Sequence, residues 1–364
     1  MKRIALMVFH LSERDGVGYD VLGMYSALSG AGYRVRVFAG SWSDVDIPVG
    51  HISTLPQFLK SAYDLVIYHY PTGWDEGLSI FLSTPARKML RFHNVTPPEF
   101  FRAYSNGYAQ ICEHAQSQIL QLLRHPIDCV TAPSHYNLNS IPIPDNTRRA
   151  VRVSFHPVDN LRQCKPDPYF LREYSDGAIN LLCVGRLVPN KGHSFLLDSL
   201  RILCDRGLNA RLILAGSLDS RLIAYTHALR QRIRDLNLVR NVVFTDSIAP
   251  EALSALYRSA AVFVLASEHE GLCVPLIESM ALEVPIVALA RAAVADTIGP
   301  AGIVWNESSP QLFALAVERI LQDDALCAHL KRIGLQRYHQ NFQQDHIRGE
   351  CLRIIESIMT PEKS

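Results

Sequence analysis

The chain has 364 residues, of which 48% are hydrophobic and 20% are charged, with a formal net charge of +1. A chain of this length predicts about two domains. The balanced charge excludes a nucleic-acid binder that depends on a strongly positive surface. The eight cysteines are scattered without a C-x-x-C pair, which favours a reducing compartment and argues against a zinc site.

The first nine residues combine a basic start with a short apolar run. This run is too short for a signal peptide, and Ser12-Glu13-Arg14-Asp15 interrupts it at once. No stretch approaches the ~18 consecutive apolar residues of a transmembrane helix. We therefore expect a first buried strand at 3–9 and a cytoplasmic protein.

Strands and helices alternate through the first half of the chain. The predicted strands there cover 3–9, 34–39, 64–69, 88–93 and 129–131. A loop over 12–19 and a helix through Leu28 follow the first strand, and a second helix is predicted at 108–123. Such alternation predicts a parallel sheet covered on both faces, with ligands at the carboxyl ends of its strands.

A segment rich in proline and polar residues, 155–177, predicts a linker, after which the alternation restarts. Strands are predicted at 180–184, 211–215, 242–244, 261–266 and 286–288, and helices at 194–204, 221–236, 250–259 and within 309–358. We predict the α/β class, with two Rossmann-like parallel-sheet domains facing each other across a cleft. The predicted divisions are 1–160, a linker at 161–177, 178–343, and a C-terminal helix at 344–364.

The most informative stretch is 267–281, which reads Ser-Glu-His-Glu-Gly-Leu-Cys-Val-Pro-Leu-Ile-Glu-Ser-Met-Ala. It follows a buried strand, and Pro275 suits the first position of a helix. Gly271 would let a ligand approach the backbone, and the helix amino terminus favours phosphate oxygens. Glu270 and Glu278 stand eight residues apart and can face one pocket, although either alone could be a solvated carboxylate.

Arg186 and Lys191 stand five residues apart in a turn that follows another strand, with glycines on either side. Two cations held near one point would stabilise a doubly charged leaving group. Such a pair would be unremarkable if both side chains were isolated on the surface.

Two further candidates follow strands of the first half. Gly16 and Gly18 fit part of a G-x-G-x-x-G pattern, but position 21 is valine and no acidic residue ends the second strand, so a plain turn is the alternative. His93 lies at the carboxyl end of a strand, where a structural role is the alternative to a site residue.

Glu270 to Glu278 resembles the E-x7-E signature of retaining glycosyltransferases of family 4, which have the GT-B fold. His93-Asn94 and the Gly185-Arg186…Lys191-Gly192 turn are also similar to motifs of that family. The resemblance is strong over about 180–290. It implies that Arg186 and Lys191 bind the nucleotide diphosphate, and that the final helix crosses back to the first domain.

The resemblance also implies roles for the other candidates. Glu270 would hold sugar hydroxyls, Glu278 the ribose, and His93 the transferred sugar, so that the catalytic set is His93, Glu270, Arg186 and Lys191. The donor-binding set comprises Gly16, Gly18, Gly185, Arg186, Lys191, Gly216, Ser247, Ile248, Glu270, Gly271, Leu272, Cys273, Val274 and Glu278. Asp246 stands where the family commonly has glycine. Thr96 and Glu99 are expected on the acceptor side, with His69 to Gly73 as scaffolding.

The activity implied is retaining transfer of a hexose from a UDP- or GDP-sugar to a hydroxyl of a glycan or glycolipid, as in bacterial cell-surface polysaccharide or glycoconjugate synthesis. No DxD-type motif is present where one would be expected, so we predict no metal and no cofactor. The alternatives are a sugar-nucleotide epimerase, a pyridoxal-phosphate phosphorylase and a non-catalytic sugar-nucleotide binder. No nucleic-acid partner is expected.

A lipid-linked acceptor would require peripheral contact with the inner face of the membrane. The predicted helix at 108–124 has an apolar side but few cations, which favours core packing over membrane binding.

Overall fold

The computed structural model describes residues 2–13 and 15–360, and these form an alternating series of strands and helices. The strands are β1 Arg3–Ser12, β2 Arg34–Ser43, β3 Val49–His51, β4 Leu65–Tyr70, β5 Arg87–Phe92, β6 Cys129–Ala132, β7 Arg148–Val151, β8 Ile179–Val184, β9 Ala210–Ala215, β10 Val242–Asp246, β11 Val262–Leu265, β12 Ile286–Leu289 and β13 Gly302–Trp305. The helices are α1 Gly16–Gly30, α2 Leu55–Phe58, α3 Asp75–Ser83, α4 Glu99–Arg102, α5 Asn106–Leu122, α6 His135–Asn139, α7 Val158–Gln163, α8 Pro168–Glu173, α9 His193–Asp205, α10 Ile223–Asp235, α11 Pro250–Ser259, α12 Val274–Ala281, α13 Val294–Ile298, α14 Pro310–Gln322, α15 Asp324–Asn341 and α16 Gln344–Met359. Met1, Arg14 and 361–364 lie outside the described residues, so the predicted loop at 12–19 and the predicted terminal helix at 344–364 are described only in part.

The chain divides into two units. The first comprises the described residues of Met1–Pro98, Ala109–His156 and Gln343–Ser364. The second comprises Glu99–Tyr108 and Pro157–Phe342. The short segment 99–108 thus belongs to the second unit, although the residues on both sides of it belong to the first.

A seven-stranded sheet in the order β3-β2-β1-β4-β5-β6-β7 forms the centre of the first unit, and its strand pairs are parallel. The apolar run Leu65–Tyr70 is buried at every position because helices cover both faces of its strand, β4. The sequence patterns predict five of these strands. The two edge strands β3 and β7 are too short and too exposed to leave an apolar signature.

The C-terminal helix α16 packs against α1 in the first unit. Its buried face includes Ile347, Cys351 and Ile355, which share a core cluster with Val21 and Met24 of α1. The spacing of these apolar residues of α16, at four-residue intervals, places them on one side of the helix. The last helix therefore completes a core built mainly by the first 156 residues.

The second unit contains a six-stranded sheet in the order β10-β9-β8-β11-β12-β13, again with parallel pairs. Strands β11 and β12 are buried at every position, as their continuous apolar sequences predict. The last strand, β13, is a partly buried edge strand that the sequence patterns do not reveal. Two parallel α/β sheets confirm the predicted fold class.

The segment predicted as a linker at 161–177 is more ordered than its composition indicates. It contains all of α8 and the end of α7, and both helices pack against α11 in the second unit. Asp167 caps α8 by accepting from the N–H groups of Tyr169 and Phe170, and Pro168 occupies the first helical position. The prolines and polar residues of this segment thus mark helix starts as well as turns.

Among the described residues, no helix combines the length and apolar character needed to cross a membrane. Helix α5 buries Ala109, Cys112, Ala115, Ile119 and Leu122 in the protein. Its apolar side is therefore used in core packing.

Candidate active site

His93 is the first residue after strand β5 and its imidazole is almost completely buried. Its Nε2 lies 2.9 Å from Nδ1 of His69, a residue of β4. The same nitrogen lies 3.7 Å from Oδ2 of Asp20, in α1. Three segments that are distant in sequence therefore meet at this histidine.

Asp20 is a fully buried carboxylate with hydrogen-bond donors on both oxygens. Oδ2 accepts from Nε of Arg91 at 2.8 Å, and both oxygens accept from an Nη of Arg152, at 2.8 and 3.0 Å. Oδ1 also accepts from the backbone N–H of Phe155 at 2.8 Å. Burial alone would raise the pKa of Asp20, but the Arg152 and Arg91 guanidiniums hold it far below its usual range, so the carboxylate is ionised.

The two histidines beside Asp20 are neutral at pH 7. Burial lowers the pKa of His69 to about 3, even though the Asp20 carboxylate acts in the opposite direction. Burial likewise lowers the pKa of His93 well below the ordinary histidine value. The contact between the two rings therefore joins one N–H to one nitrogen lone pair.

Asp20, His69 and His93 place three atoms of metal-binding type within 4.8 Å of one another. Carboxylates and imidazoles are common ligands of zinc and of other divalent metals. Here the carboxylate is already engaged by Arg91 and Arg152, and the two guanidiniums would repel a bound dication. The arrangement suits a fixed pair of histidines better than a metal centre.

The predicted glycine loop is instead the first turn of α1, which begins at Gly16. Asp15 caps this helix by accepting from the N–H of Gly18 at 2.7 Å, so that N–H is already paired. A Cβ on Gly18 would lie 1.6 Å from the carbonyl oxygen of Ser12, whereas a Cβ on Gly16 would meet nothing within 4 Å. Gly18 is therefore required by the close approach of the backbone after β1. The prediction of a loop through Tyr19 is wrong because Asp15 starts the helix earlier.

The two residues expected on the acceptor side belong to different units. Thr96 is half-buried in the first unit, whereas Glu99 is exposed and begins α4 in the second. His69, expected only to be scaffolding, is the hydrogen-bonding neighbour of His93.

The turn that contains the predicted diphosphate-binding cations is joined to the loop that contains Glu270. Nζ of Lys191 donates to Oε1 of Glu270 at 2.6 Å, and both side chains are largely buried. Asn190 strengthens the connection, since its Nδ2 donates to the His269 carbonyl and its own carbonyl accepts from the Glu268 N–H. The structure thus brings together two motifs that lie 79 residues apart.

Arg186 differs from Lys191 because its side chain is 59% exposed. One of its Nη atoms lies 3.3 Å from the hydroxyl of Tyr108 and 4.0 Å from Oδ2 of Asp219. The Asp219 carboxylate pairs more closely with Arg221, at 2.7 Å. Arg186 is therefore a solvent-facing cation with only weak contacts to its neighbours.

The loop after β11 turns sharply into helix α12. Cys273, with φ of 63°, is the residue before the helix, an uncommon conformation for a side chain other than glycine. The helix begins at Val274, so Pro275 takes its second position and not the predicted first. The Leu272 carbonyl accepts from the Thr297 hydroxyl at 2.7 Å, and this hydrogen bond holds the turn against α13.

Glu278 is buried one turn into α12 and accepts from the hydroxyl of Tyr257, at 2.6 Å from its Oε2. Burial raises the pKa of Glu278 to about 7, although the hydrogen bond from Tyr257 acts in the opposite direction. The two glutamates of the E-x7-E pattern therefore have different surroundings: Glu270 faces a lysine, and Glu278 faces a neutral phenol.

Gly185 and Gly216 end neighbouring strands of the second sheet. Gly216 has φ of 152°, and a Cβ there would lie 2.1 Å from the Gly185 carbonyl oxygen, so packing of the two loops requires this glycine. Asp246 adopts φ of 57°, the left-handed conformation that glycine prefers. Its Oδ1 accepts from the Ser247 N–H at 2.8 Å, so this N–H is already paired within the loop. Ile248, the other base contact predicted in that loop, is half-buried.

A cavity of about 770 Å³ lies at the opposite edge of the first sheet, where strands β5, β6 and β7 begin. Its lining includes Arg87, Arg124, Asp128 and Arg148. None of the residues predicted from sequence to bind donor or acceptor lines it.

No motif identifies the neighbours of the predicted residues, which are Asp20, His69 and Tyr257, or Arg152, which binds Asp20. They come from distant segments, and no spacing links them. The one usable signal was Arg91, a charged residue inside a strand whose neighbours are apolar and buried. Such a residue needs a buried counter-ion, here Asp20.

Residues 173–337 match the family model described as glycosyl transferases group 1. Mannosylfructose-phosphate synthase of Agrobacterium fabrum is 25% identical over 229 residues, 62% of this chain and 46% of that protein. A D-inositol 3-phosphate glycosyltransferase of Corynebacterium urealyticum is 23% identical and is matched over 76% of this chain and 66% of its own length. The chain spans about half the length of most of the curated relatives it matches.

Solved structures extend the likeness to nearly the whole chain. Sucrose-phosphate synthase from Thermosynechococcus elongatus superposes with a TM-score of 0.75 at 20% identity, covering 98% of this chain and 99% of that one. HepE of Anabaena, in complex with UDP and glucose, also gives 0.75, at 17% identity and with 98% and 100% coverage. These superpositions show a shared fold. Residues 173–337 therefore match the glycosyl transferases group 1 family, and the chain has the GT-B fold, as the E-x7-E resemblance implies.

Proposed function

We propose that this protein is a retaining glycosyltransferase that transfers a hexose from a UDP- or GDP-sugar to a hydroxyl of a glycan or glycolipid. The observation that carries the proposal is the contact between Lys191 and Glu270, 2.6 Å apart in the second unit. It joins a cation suited to a diphosphate with a carboxylate suited to sugar hydroxyls. A diphosphate and the sugar attached to it would need these two groups as near neighbours.

The chemistry requires a nucleoside diphosphate to leave an anomeric carbon while an acceptor hydroxyl attacks it. Negative charge grows on the diphosphate, and Lys191 and Arg186 would stabilise that charge. Each such contact contributes a few kcal/mol, about 3, to lowering a barrier when it is formed in a site that excludes water. The exposed Arg186 is free to turn towards a ligand, since its contacts at 3.3 and 4.0 Å are weak.

Donor binding would also change the pairing of Lys191. Among the carboxylates of residues 2–13 and 15–360, Glu270 is the one that pairs with the Lys191 ammonium. With a donor present, the ammonium would interact with diphosphate oxygens, and Glu270 would accept hydroxyl groups of the sugar. Glu278 would accept a ribose hydroxyl, and the Tyr257 hydroxyl holds its carboxylate in a single orientation.

His93 would contact the transferred sugar near the reacting carbon. Its surroundings support this role, since a neutral imidazole can donate to, or accept from, a sugar hydroxyl without competing for charge. The ion pairs of Asp20 with Arg91 and Arg152 hold the elements around it in place.

The donor class is supported by relatives. HepE of Anabaena has been captured with UDP-glucose, and a relative from Mycolicibacterium smegmatis is described as a GDP-mannose-dependent mannosyltransferase. Cell-surface roles are represented by the capsular polysaccharide glycosyltransferase CapM of Staphylococcus aureus. We propose the same general role here, in the cytoplasm, with peripheral membrane contact if the acceptor is a glycolipid.

We further propose that the reaction needs no metal, because Lys191 and Arg186 supply the positive charge that a cation would otherwise bring to the diphosphate. Retention would follow from attack on the same face of the sugar that the diphosphate leaves.

The test is a thermal-shift and donor-hydrolysis screen of UDP-, GDP- and ADP-sugars, with and without EDTA. A bound donor stabilises the folded state by mass action and so raises the melting temperature. Stabilisation and hydrolysis with one nucleotide, unchanged by EDTA, would support a metal-independent transferase. Stabilisation without hydrolysis or transfer would favour a non-catalytic binder, and loss of hydrolysis in EDTA would refute metal independence.

A further inference from the structure

Resting on the proposed function, we infer that His69 is a positioning residue for His93. It donates its Nδ1–H to Nε2 of His93 and so keeps the proton of His93 on Nδ1, where it can be donated to an oxygen of the transferred sugar. This assigns His69, which no motif marks, a part in the reaction.

The 2.9 Å contact between Nδ1 of His69 and Nε2 of His93 can hold its single proton in two ways. If the proton is on His93, then Nδ1 of His69 accepts, and a neutral His69 must carry its own proton on Nε2. If the proton is on Nδ1 of His69, then its Nε2 is an unprotonated nitrogen.

The surroundings of His69 decide between these arrangements. Its Nε2 is buried and has no hydrogen-bond partner among the described residues. A buried N–H without an acceptor is costly, whereas a lone pair without a donor is tolerated more easily. The proton therefore belongs on Nδ1 of His69, and His69 is the donor.

Asp20 does not take over this role. Its Oδ2 lies 4.0 Å from Nδ1 of His69 and 3.7 Å from Nε2 of His93, beyond hydrogen-bonding distance. The carboxylate is instead occupied by Arg91, Arg152 and the Phe155 N–H. Asp20 thus fixes the surrounding elements, and His69 alone among the described residues hydrogen-bonds to Nε2 of His93.

The consequence is a defined tautomer of His93. With Nε2 accepting, a neutral His93 carries its proton on Nδ1. The described residues provide no hydrogen bond to that nitrogen. Nδ1–H is then the group of His93 that is available to a ligand, and a sugar hydroxyl or ring oxygen is the acceptor it fits.

Two substitutions separate the donor function from packing. In His69→Asn, the side-chain N–H₂ can take the place of Nδ1–H, while His69→Leu fills similar space without a donor. We expect His69→Leu to lower kcat by about tenfold or more with little change in the donor KM, because His93 would no longer be held in the tautomer that donates to the sugar. His69→Asn should recover most of that loss.

The tautomer itself can be measured by nitrogen-15 NMR of histidine-labelled protein, with the His93 signal identified by its absence in His93→Gln. We expect Nδ1 of His93 to be protonated in the wild type and in His69→Asn. The matched control is Tyr68→Phe, which removes from the same strand a buried hydroxyl that no described residue hydrogen-bonds, and it should alter neither the tautomer nor kcat.

A wild-type His93 protonated on Nε2 would overturn the inference, as would an unchanged kcat in a folded His69→Leu. If His69→Leu does not fold, the wild-type tautomer and the His69→Asn variant decide the matter. If the wild type turns over no sugar nucleotide, the proposed function fails, and the tautomer still confirms or refutes the hydrogen bond between the histidines.

Discussion

The buried carboxylate of Glu278 should contribute to the pH dependence of this protein's stability, and Glu278→Gln should remove that contribution. Its pKa rises from 4.5 to about 7 on folding because the side chain is buried. The folded state therefore holds a proton that the unfolded state releases above about pH 4.5. The contribution of Glu278 is fully present below that pH and is lost as the pH rises through 7.

The size of the effect follows from the shift. Each pKa unit corresponds to about 1.4 kcal/mol, so the shift costs the wild type about 3 kcal/mol at pH 8 relative to pH 4. Glutamine keeps an oxygen to accept from the Tyr257 hydroxyl but has no charge to bury. The variant should therefore match the wild type near pH 4 and exceed it by about 3 kcal/mol at pH 8.

The assay is urea unfolding of both proteins from pH 4 to 8, with the difference in unfolding free energy plotted against pH. His69 and His93, whose pKa values burial lowers, contribute in the opposite sense, and they cancel in that difference. Glu307→Gln, at an exposed loop position, serves as the matched control. A difference that stays constant with pH would refute the reasoning, since Glu278 would then have the same pKa in both states.

Three other outcomes are expected. Arg186→Ala and Lys191→Ala should each weaken nucleoside diphosphate binding by about tenfold, the loss of one charge-assisted contact; calorimetric affinities equal to wild type in both variants would show that the cations do not bind the diphosphate. His93→Ala should lower turnover far more than donor affinity, and a fall in affinity alone would make His93 a binding residue only. Gly18→Ala should lower the free energy of unfolding by about 2 kcal/mol or more, because the new Cβ would lie 1.6 Å from a backbone oxygen, and thermal unfolding beside Gly16→Ala, which meets nothing, would test this.

The parts of the molecule that sequence reasoning predicts are those with a local cause. Largely apolar runs such as Leu65–Tyr70 are typical of buried strands, and the alternation of strands with helices then favours parallel sheets. Edge strands such as β7, with its exposed arginines, have no such run and were missed. The start of α1 was missed for a different reason: Gly-Val-Gly disfavours a helix locally, and the Asp15 cap outweighs that tendency.

In the candidate site, too, motifs predict individual residues, whereas the contacts between them appear only in the fold. Glu270 and Lys191 were each visible in a motif, but only the fold shows that they pair with each other. Asp20, which lies beside His93, and its partner Arg152 were not predicted, because they are 132 residues apart and each is an ordinary charged residue in its own segment. Whether such charged side chains are buried depends on the tertiary structure and cannot be read from the segment that contains them.

The division of the chain has a practical consequence for anyone who wishes to produce one half of this protein. The chain passes from one unit to the other after Pro98, Tyr108, His156 and Phe342. A fragment that ends near residue 156 would lose the buried side chains of Ile347 and Ile355 and expose the apolar face of α1 to water. An independently folding first half would have to be a fusion, in which residues 343–360 are returned to the fragment by a linker.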